Sequence, residues 1–202
     1  MAEKQPHVQL PLHDYLSDPN GQGPILFLKE HGHAASMRLQ EVAQPDSLLV
    51  IDFAGALDMI GSFYGPLMTS LHIAAQTHKE RNFRAVMIGT TPDVRDEMIL
   101  HANIKWPGLG QAVLACLVDS EVQLVTDKPH AAEAYSAAQT LTEEHGSFQM
   151  WQLGEVLGMT VPACHGRMEE LMNHGAIGRA PAIVERGRQH NYQAVIAADL
   201  QN

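Results

Sequence analysis

The sequence has few of the features that mark secreted, membrane-spanning or disulfide-stabilised proteins. Only two of its 202 residues are cysteines, Cys116 and Cys164, and they form no CxxC pair. No apolar run approaches the roughly 18 residues that a transmembrane helix needs. The first residues also lack the basic and apolar regions of a signal peptide. We therefore expect a cytoplasmic protein with no membrane partner, in which both cysteines are small core residues.

Motifs for nucleotide binding, metal binding and nucleophilic catalysis are also missing. The chain contains no P-loop, no GxGxxG and no nucleophile elbow. Gly108-Leu109-Gly110 lacks both the third glycine and the strand-to-helix setting of a dinucleotide site. There are 12 histidines, of which His31 and His33 are the closest pair, but none has HxxxH or HExxH spacing. We predict that the protein is not an enzyme, with no catalytic residues, no cofactor and no metal.

Basic residues are outnumbered by acidic ones, 13 against 23, which gives a net charge of −10. This balance argues against nucleic-acid binding by the whole surface. The charge is unevenly distributed, however. Residues 147–202 contain four arginines, no lysine and five acidic residues, a net charge of −1, so the preceding residues carry −9. The C-terminal part is therefore close to neutral.

Residues 48–76 organise the N-terminal part of the chain. Residues 48–53 are a nearly continuous apolar run, which predicts a strand buried on both faces of a sheet. A loop follows, and then apolar residues recur every three or four positions, as in a helix with one buried face. Because Gly65-Pro66 suits an N-cap and a first helical position, we place the helix start there and Ser62 in the loop. The loop and face residues are Gly55, Asp58, Gly61, Phe63, Leu67, Leu71 and Ala74.

Strands and helices alternate on both sides of this stretch, which predicts an α/β fold. We expect a short helix after Ser36 and another after Thr91 as N-cap, with Pro92 in its first position. Residues 1–24 contain several prolines and glycines and are predicted to form an extended or poorly ordered arm. Further strands are expected at residues 25–28, 84–89, 111–118 and 121–126, and the last two can pair antiparallel.

The segments DFAGA (residues 52–56) and IGSF (residues 60–63) resemble the STAS-like family of bacteria and archaea. The match extends over about residues 34–126, with residues 36–38 fitting the first helix of the family. The resemblance implies a small sheet with helices on one face, as in anti-sigma-factor antagonists. In those relatives a partner kinase phosphorylates a serine where the loop after the buried strand meets the helix. The equivalent residue here is Ser62.

Two roles for Ser62 follow from its position. A phosphate near a helix N-terminus would meet free backbone N–H groups and the positive end of the helix dipole. Serine is also common before a helix for structural reasons alone. We name Asp58, Ser62 and Tyr64 as a candidate modification or partner loop. Asp52, at the end of its strand, is expected to accept hydrogen bonds from loop amides.

The C-terminal part has clear helix and turn signals. An alanine-rich helix is predicted over residues 129–146, as a linker or dimerisation element. Ser147 is predicted to cap the next helix, which ends at Gly158, and Thr160 to cap the one after it, which ends at Gly175. Two strand-like runs follow, at residues 177–184 and 191–197. The apolar residues of the first of these helices are Met150, Trp151, Leu153, Val156 and Leu157. The second helix is expected to bury Val161, Cys164, Met168, Leu171 and Met172.

This order of elements is typical of a winged helix-turn-helix. The segment LGEVLGMTVPACHGRMEELMNHGAI (residues 153–177) resembles the helix-turn-helix core of bacterial winged-helix proteins, and the likeness continues to about Ala198. The resemblance implies that the helix of residues 160–174 enters the major groove and that the hairpin tip contacts phosphate or the minor groove. The candidate DNA-binding residues are Thr160, Ala163, His165, Arg167, Arg179, Arg186, Arg188 and His190.

We therefore predict four segments: an arm (1–24), a STAS-like α/β domain (25–128), a linker or dimerisation helix (129–146) and an α+β winged helix-turn-helix domain (147–202). The leading hypothesis is a homodimeric bacterial transcription regulator that binds double-stranded DNA, with the STAS-like domain as a sensing or partner-binding part. The alternative is a partner-switching module without DNA binding, in which Ser62 faces an ATPase or kinase partner.

Overall fold

Within the residues that the structure describes, the β-strands form one five-stranded sheet and two smaller pairs. The computed structural model describes residues 5–18, 21, 23–26, 28–102, 113–183 and 188–201. The strands are β1 (His7–Pro11), β2 (Ile25–Leu26), β3 (Leu48–Asp52), β4 (Asp58–Met59), β5 (Arg84–Ile88), β6 (Leu114–Val118), β7 (Glu121–Val125), β8 (Ile177–Ile183) and β9 (Arg188–Ala194). The helices are α1 (Lys29–Val42), α2 (Gly61–Thr77), α3 (Pro92–Ala102), α4 (Pro129–His145), α5 (Met150–Leu157) and α6 (Val161–Met172). The fold is thus mixed α/β, as predicted.

The large sheet has the strand order β1-β3-β5-β6-β7. Its neighbouring strands are parallel, except that β6 and β7 are antiparallel. The predicted central strand is confirmed as β3, which lies between β1 and β5 and is buried from Leu48 to Ile51. β2 and β4 form a short parallel pair, and β8 and β9 form an antiparallel hairpin. Residues 27, 111, 112 and 184 of the predicted strands lie outside the described residues.

Helices α1, α2 and α3 cover one face of the large sheet. Their apolar side chains form a common core with Leu49 and Ile51 of β3. The predicted cap of α3 is present, because the amide of Val94 donates to the Thr91 hydroxyl at 3.2 Å. No helix in the described part of the chain is long and apolar enough to span a lipid bilayer. The helix residues of this core include Leu39, Phe63, Leu67, Leu71, Val94 and Met98.

The opposite face of the sheet is covered by residues 129–201, which we call the C-terminal module. Side chains alternate between the two faces of a strand, so Leu48 and Val50 point away from the first core. They pack in a second core that contains side chains of α4, α5, α6 and the hairpin. The module residues of this core include Ala134, Tyr135, Phe148, Leu153, Met168, Leu171 and Ile177. The module and the sheet therefore share a core.

The fully buried side chain of Arg84 adds polar contacts to this shared core. Its guanidinium donates to the carbonyl of Ala194 at 2.8 Å and to Asp199 at 2.6 Å. It also donates through Nε to the side-chain oxygen of Gln5 at 2.9 Å. A buried charge needs such partners because it has lost its hydration. Arg84 thus connects β5 to both ends of the described chain.

The N-terminal segment is extended, which is one of the two expectations for it, but it also belongs to the sheet. β1 pairs with β3 along its whole length, and both Leu10 and Leu12 are buried. Proline at residue 11 is compatible with this strand because β1 lies at the sheet edge. The alternation of apolar residues at 8, 10 and 12 is the signal for this strand. The remaining residues predicted as an arm, 1–4, 19, 20 and 22, lie outside the described residues.

Three of the predicted helix starts are wrong, those of α1, α5 and α2. α1 begins at Lys29, so Ser36 lies inside it and donates its hydroxyl hydrogen to the carbonyl of His33 at 2.7 Å. α5 is capped by Gln149 and not by Ser147, because Gln149 forms a reciprocal capping box with the first turn. The predicted caps of α1 and α5 are both serines, which favour the N-cap position, but Leu28 and Gln149 occupy that position in the structure.

The start of α2 also differs from the prediction. The helix begins at Gly61, where the amides of Phe63 and Tyr64 both donate to the carbonyl of Ile60. Pro66 therefore lies inside the helix and not at its first position. A proline in this second turn removes a single intrahelical hydrogen bond. As a result, Ser62 lies in the first turn of α2 and not in the preceding loop.

Candidate nucleic-acid interface

The C-terminal module presents α6 between α5 and the β8–β9 hairpin. An isolated antiparallel bridge joins Phe148, just before α5, to Tyr192 of β9. Both backbone hydrogen bonds of this pair form, at 2.9 and 2.8 Å, and the two rings stack with their centroids 5.9 Å apart. α5 ends at Gly158, which has a left-handed φ of 63°, and the turn leads directly into α6. The bridge and the turn hold α6 with one face outward.

The outward face of α6 is exposed over the first half of the helix. The buried residues recur at helical spacing and are Cys164, Met168, Leu171 and Met172. The exposed candidate residues are Thr160, Ala163 and His165. Residues 160–168 contain no acidic side chain, and the acids Glu169 and Glu170 come only in the second half. The negative charge of Glu170 is also balanced, because its carboxylate pairs with Lys128. The first half of α6 is thus neutral to basic.

Three of the predicted DNA-binding side chains lie next to carboxylates. Arg167 is mostly buried, and its Nη1 is 3.4 Å from a carboxylate oxygen of Glu133. Arg179 is 9% exposed and its Nη2 pairs with Glu80. His190 lies beside the same carboxylate, with its Nε2 2.9 Å from Glu80. Arg179 is therefore not an exposed phosphate contact, because burial and its acidic partner keep it inside the base of the hairpin.

The hairpin tip carries the two remaining candidates. Arg186 lies outside the described residues. Arg188 is the first residue of β9, and its side chain also lies outside the described part of the structure. In the sequence both arginines belong to the connection between β8 and β9 or its immediate edge. They remain predicted contacts.

The same face contains a groove that the sequence did not indicate. It encloses about 330 Å³ between the N-terminal ends of α5 and α6 and the hairpin. Trp151 and Val161 are 49% and 46% exposed and line this groove, although Val161 was expected to be buried. Val161 has the same helical spacing as the buried Cys164 and Met168, but it is the first residue of α6 and lies at the end of that stripe. Trp151 lies about 200° around α5 from the buried Leu153, on the other side of that helix.

Ser62 is exposed at the start of α2 and lines a second groove, between α1 and α2. This α1–α2 groove encloses about 570 Å³. One end carries Lys29 and His33, and the other carries Ile73, which is 45% exposed. Met37, on the neighbouring surface of α1, is 66% exposed. The groove therefore combines a hydroxyl, a cation and apolar surface.

The other members of the predicted partner loop are separated from this groove. Tyr64 is fully buried, burial raises its pKa, and its ring stacks on His101 with centroids 5.6 Å apart. Asp58 is partly buried, and its side chain accepts the amide of Met59 at 2.7 Å. Tyr64 is thus placed in the core and not on a surface that a partner can contact. Asp52 behaves as expected, since it accepts the amide of Ala54 at 2.8 Å.

Both cysteines are buried and unpaired, which confirms them as core residues. Burial raises the pKa of the Cys116 thiol to about 12, so this residue stays protonated at neutral pH. Within the described ranges, no three His, Cys, Asp or Glu side chains are grouped so that they could hold a metal ion.

Comparison of the chain with protein-family models, with curated proteins and with solved structures finds no match.

Proposed function

We propose that this protein binds double-stranded DNA through α6 and the β8–β9 hairpin. It would act as a homodimeric transcription regulator, with the sheet and α1–α3 as a STAS-like sensing or partner-binding part. The observation that carries the proposal is the exposed first half of α6, which has no acidic side chain and lies beside the hairpin.

The shape and chemistry of α6 suit the major groove. That groove is about 12 Å wide and admits a helix, and recognition helices contact base edges through their N-terminal residues. Thr160 and His165 supply hydrogen-bonding side chains at this end of α6. Ala163 and Gly166 are small and exposed, which allows close approach to DNA. The N-terminus of the helix also carries a partial positive charge that favours phosphate.

The charge distribution supports an oriented and salt-sensitive interaction. The chain carries −10 overall, but residues 147–202 carry only −1. The acidic N-terminal part would be repelled by DNA, which leaves the C-terminal module as the side that approaches. Because Arg167 and Arg179 already pair with carboxylates, the tip residues Arg186 and Arg188 would supply most of the phosphate contacts.

Fluorescence anisotropy with a labelled random-sequence duplex, measured across a salt series, tests this proposal. The double substitution Arg186→Gln/Arg188→Gln is expected to weaken binding and to reduce the slope of log affinity against log salt by about 2. The matched control is Arg38→Gln/Arg81→Gln, which removes the same charge from two exposed arginines outside the module. Absence of binding by the native protein at low salt would contradict DNA binding, and an equal effect of both double substitutions would contradict the role of the tip.

The α1–α2 groove supports a second candidate function, a partner-switching module. Ser62 is exposed at the helix N-terminus beside Lys29, so a phosphate there would find a helix dipole and a cation. The exposed apolar side chains of Met37 and Ile73 suit contact with a partner protein.

A pull-down that recovers an ATPase or kinase tests the second candidate. Ser62→Asp is expected to abolish the recovery, because it places a negative charge at the edge of the groove. Ser136→Asp is the matched control, since Ser136 is exposed on α4, which packs on the opposite face of the sheet. Recovery that is unaffected by Ser62→Asp would exclude this serine as the switch.

A further inference from the structure

The groove between α5, α6 and the hairpin has the composition of a small-molecule site. Its volume of about 330 Å³ lies within the range of ligand pockets, which is roughly 300 to 1,000 Å³. Its walls contain large apolar side chains, and its floor contains a buried cation. The lining includes Trp151, Val161, His165, Arg179 and His190.

The apolar wall is formed mainly by Trp151 and Val161, which are 49% and 46% exposed. The indole N–H of Trp151 already donates to the side-chain oxygen of Gln149 at 2.6 Å. This hydrogen bond holds the indole in place and leaves its apolar surface for another group. A planar apolar ligand can bury this surface and that of Val161 at the same time.

The floor of the groove contains an unused hydrogen-bond donor. Arg179 is 9% exposed, and its Nη2 pairs with Glu80. Its Nε is buried and has no hydrogen-bond acceptor in the described part of the protein. Buried N–H groups are nearly always paired, because an unpaired one has lost its bonds to water without replacement. An acceptor oxygen from a ligand would give this Nε–H the hydrogen bond that it lacks.

The guanidinium of Arg179 favours an anionic acceptor, because hydrogen bonds between a guanidinium and a carboxylate are charge-assisted. Three groups that carry or can acquire positive charge line it, Arg179, His165 and His190. Among the described residues that line the groove, none is acidic. The nearby carboxylate of Glu80 contacts both Arg179 and His190 from outside that lining. Because Glu80 already balances the charge of Arg179, a singly charged carboxylate suits the groove better than a doubly charged phosphate.

We propose that this groove binds a small aromatic carboxylate. The ring of the ligand packs against Trp151 and Val161, and its carboxylate accepts a hydrogen bond from Nε of Arg179. Such a ligand would cover Val161 and His165 at the start of α6, and it would therefore act as an effector of whatever α6 contacts. The binding itself does not depend on DNA, so its test is independent of the proposed function.

Tryptophan fluorescence provides a direct measurement of this binding. The chain has two tryptophans, so Trp106→Phe leaves Trp151 as the single emitter. Titration of this variant with phenylacetate is expected to change the emission in a saturable way. Phenylacetamide has the same ring without the charge, and it is expected to bind at least about tenfold more weakly. Acetate has the charge without the ring, and no saturable change is expected.

Two substitutions locate the site. Val161→Asp places a like charge in the groove and is expected to abolish the phenylacetate response. The matched control Val156→Asp changes an even more exposed valine on α5 outside the groove, and it is expected to retain the response. Arg179→Lys keeps a charge beside Glu80 but has no Nε–H in that position, and it is expected to lose affinity while circular dichroism shows a native fold.

The following results would overturn the proposal. The first is absence of a saturable response to phenylacetate in the single-tryptophan protein. The second is equal affinity for phenylacetate and phenylacetamide, which would show that the carboxylate is not recognised. The third is a response that survives Val161→Asp, which would place the ligand elsewhere.

Discussion

The two faces of the central sheet are covered in different ways. Helices α1–α3 cover one face with an almost purely apolar core. The C-terminal module covers the other with an apolar core that is bordered by polar contacts from β5. There the amide of Ala85 donates to Gly175 at 2.8 Å, and the amide of Asn82 donates to the carbonyl of Arg179 at 2.8 Å. The buried guanidinium of Arg84 adds bonds to Ala194 and Asp199.

This difference shows how the two halves of the chain are connected. An apolar face tolerates small shifts, because burial is not directional. Hydrogen bonds and ion pairs fix position, because they need particular distances and angles. The module is therefore held in one orientation relative to β5, and a ligand or partner on either side acts on a single packed body. Three predictions test this asymmetry, in order of decreasing effect.

The largest effect is expected for Arg84→Met. The substitution keeps an unbranched side chain in the core but leaves Asp199 without its buried partner. Loss of one member of a buried pair destabilises proteins by about 3–5 kcal/mol. We expect a decrease of this size in the free energy of unfolding, measured by urea denaturation.

Arg81→Met is the control for this prediction. Arg81 also pairs with an aspartate, Asp46, but both side chains are more than half exposed. Surface pairs contribute at most about 1 kcal/mol. A decrease for Arg84→Met as small as that for Arg81→Met would show that the polar contacts do not hold the module in place.

The asymmetry also explains which parts of the fold could be predicted from the sequence. β3, β5 and the alanine-rich α4 were predictable because a run of apolar residues or a helical period lies within one short segment. The role of Arg84 could not be predicted from the sequence, because its partners Gln5 and Asp199 are distant in the chain. A pattern read along the sequence contains no information about such pairs.

The same limit applies to the candidate site. Thr160, Ala163 and His165 are exposed on α6, where helical spacing places them. Arg179 looked like a contact because it is a cation near a hairpin, but its partner Glu80 lies in the turn after α2. The groove beside Trp151 could not be anticipated, because it forms only when two helices and the hairpin come together.

Gly175→Ala is expected to have the second-largest effect. Gly175 has a left-handed φ of 79°, and an added Cβ would lie 3.0 Å from the backbone nitrogen of Ala85. Gly146 has nearly the same φ, 76°, but nothing lies near its missing Cβ. Gly146→Ala should therefore cost only the backbone strain, about 1 kcal/mol. Gly175→Ala should cost about 2–3 kcal/mol by thermal or urea unfolding, because β5 cannot move away. If Gly175→Ala and Gly146→Ala lower the free energy of unfolding equally, the close contact between Gly175 and Ala85 adds nothing to the destabilisation.

The smallest effect is a dependence of stability on pH through His174. This residue belongs to the module and faces α2, with its ring 5.5 Å from that of His72. Burial, and secondarily His72, lowers the pKa of His174 to about 3. The unfolded chain binds a proton near pH 6.5, whereas the folded protein does not until about pH 3. Stability is therefore lost as the pH falls from 6.5 towards 3, by about 2 kcal/mol between pH 7 and pH 5.

His174→Leu removes this contribution, and urea denaturation at pH 7 and pH 5 measures what remains. The variant should lose about 2 kcal/mol less than the native protein over this interval, because leucine has no proton to bind. His145→Leu is the control, since His145 is exposed at the end of α4. It should keep the native pH dependence. If His174→Leu also keeps the native pH dependence, water must enter the contact between α2 and the module and hydrate a charged histidine there. The rigid attachment inferred from the hydrogen bonds of β5 would then not extend to the contact with α2.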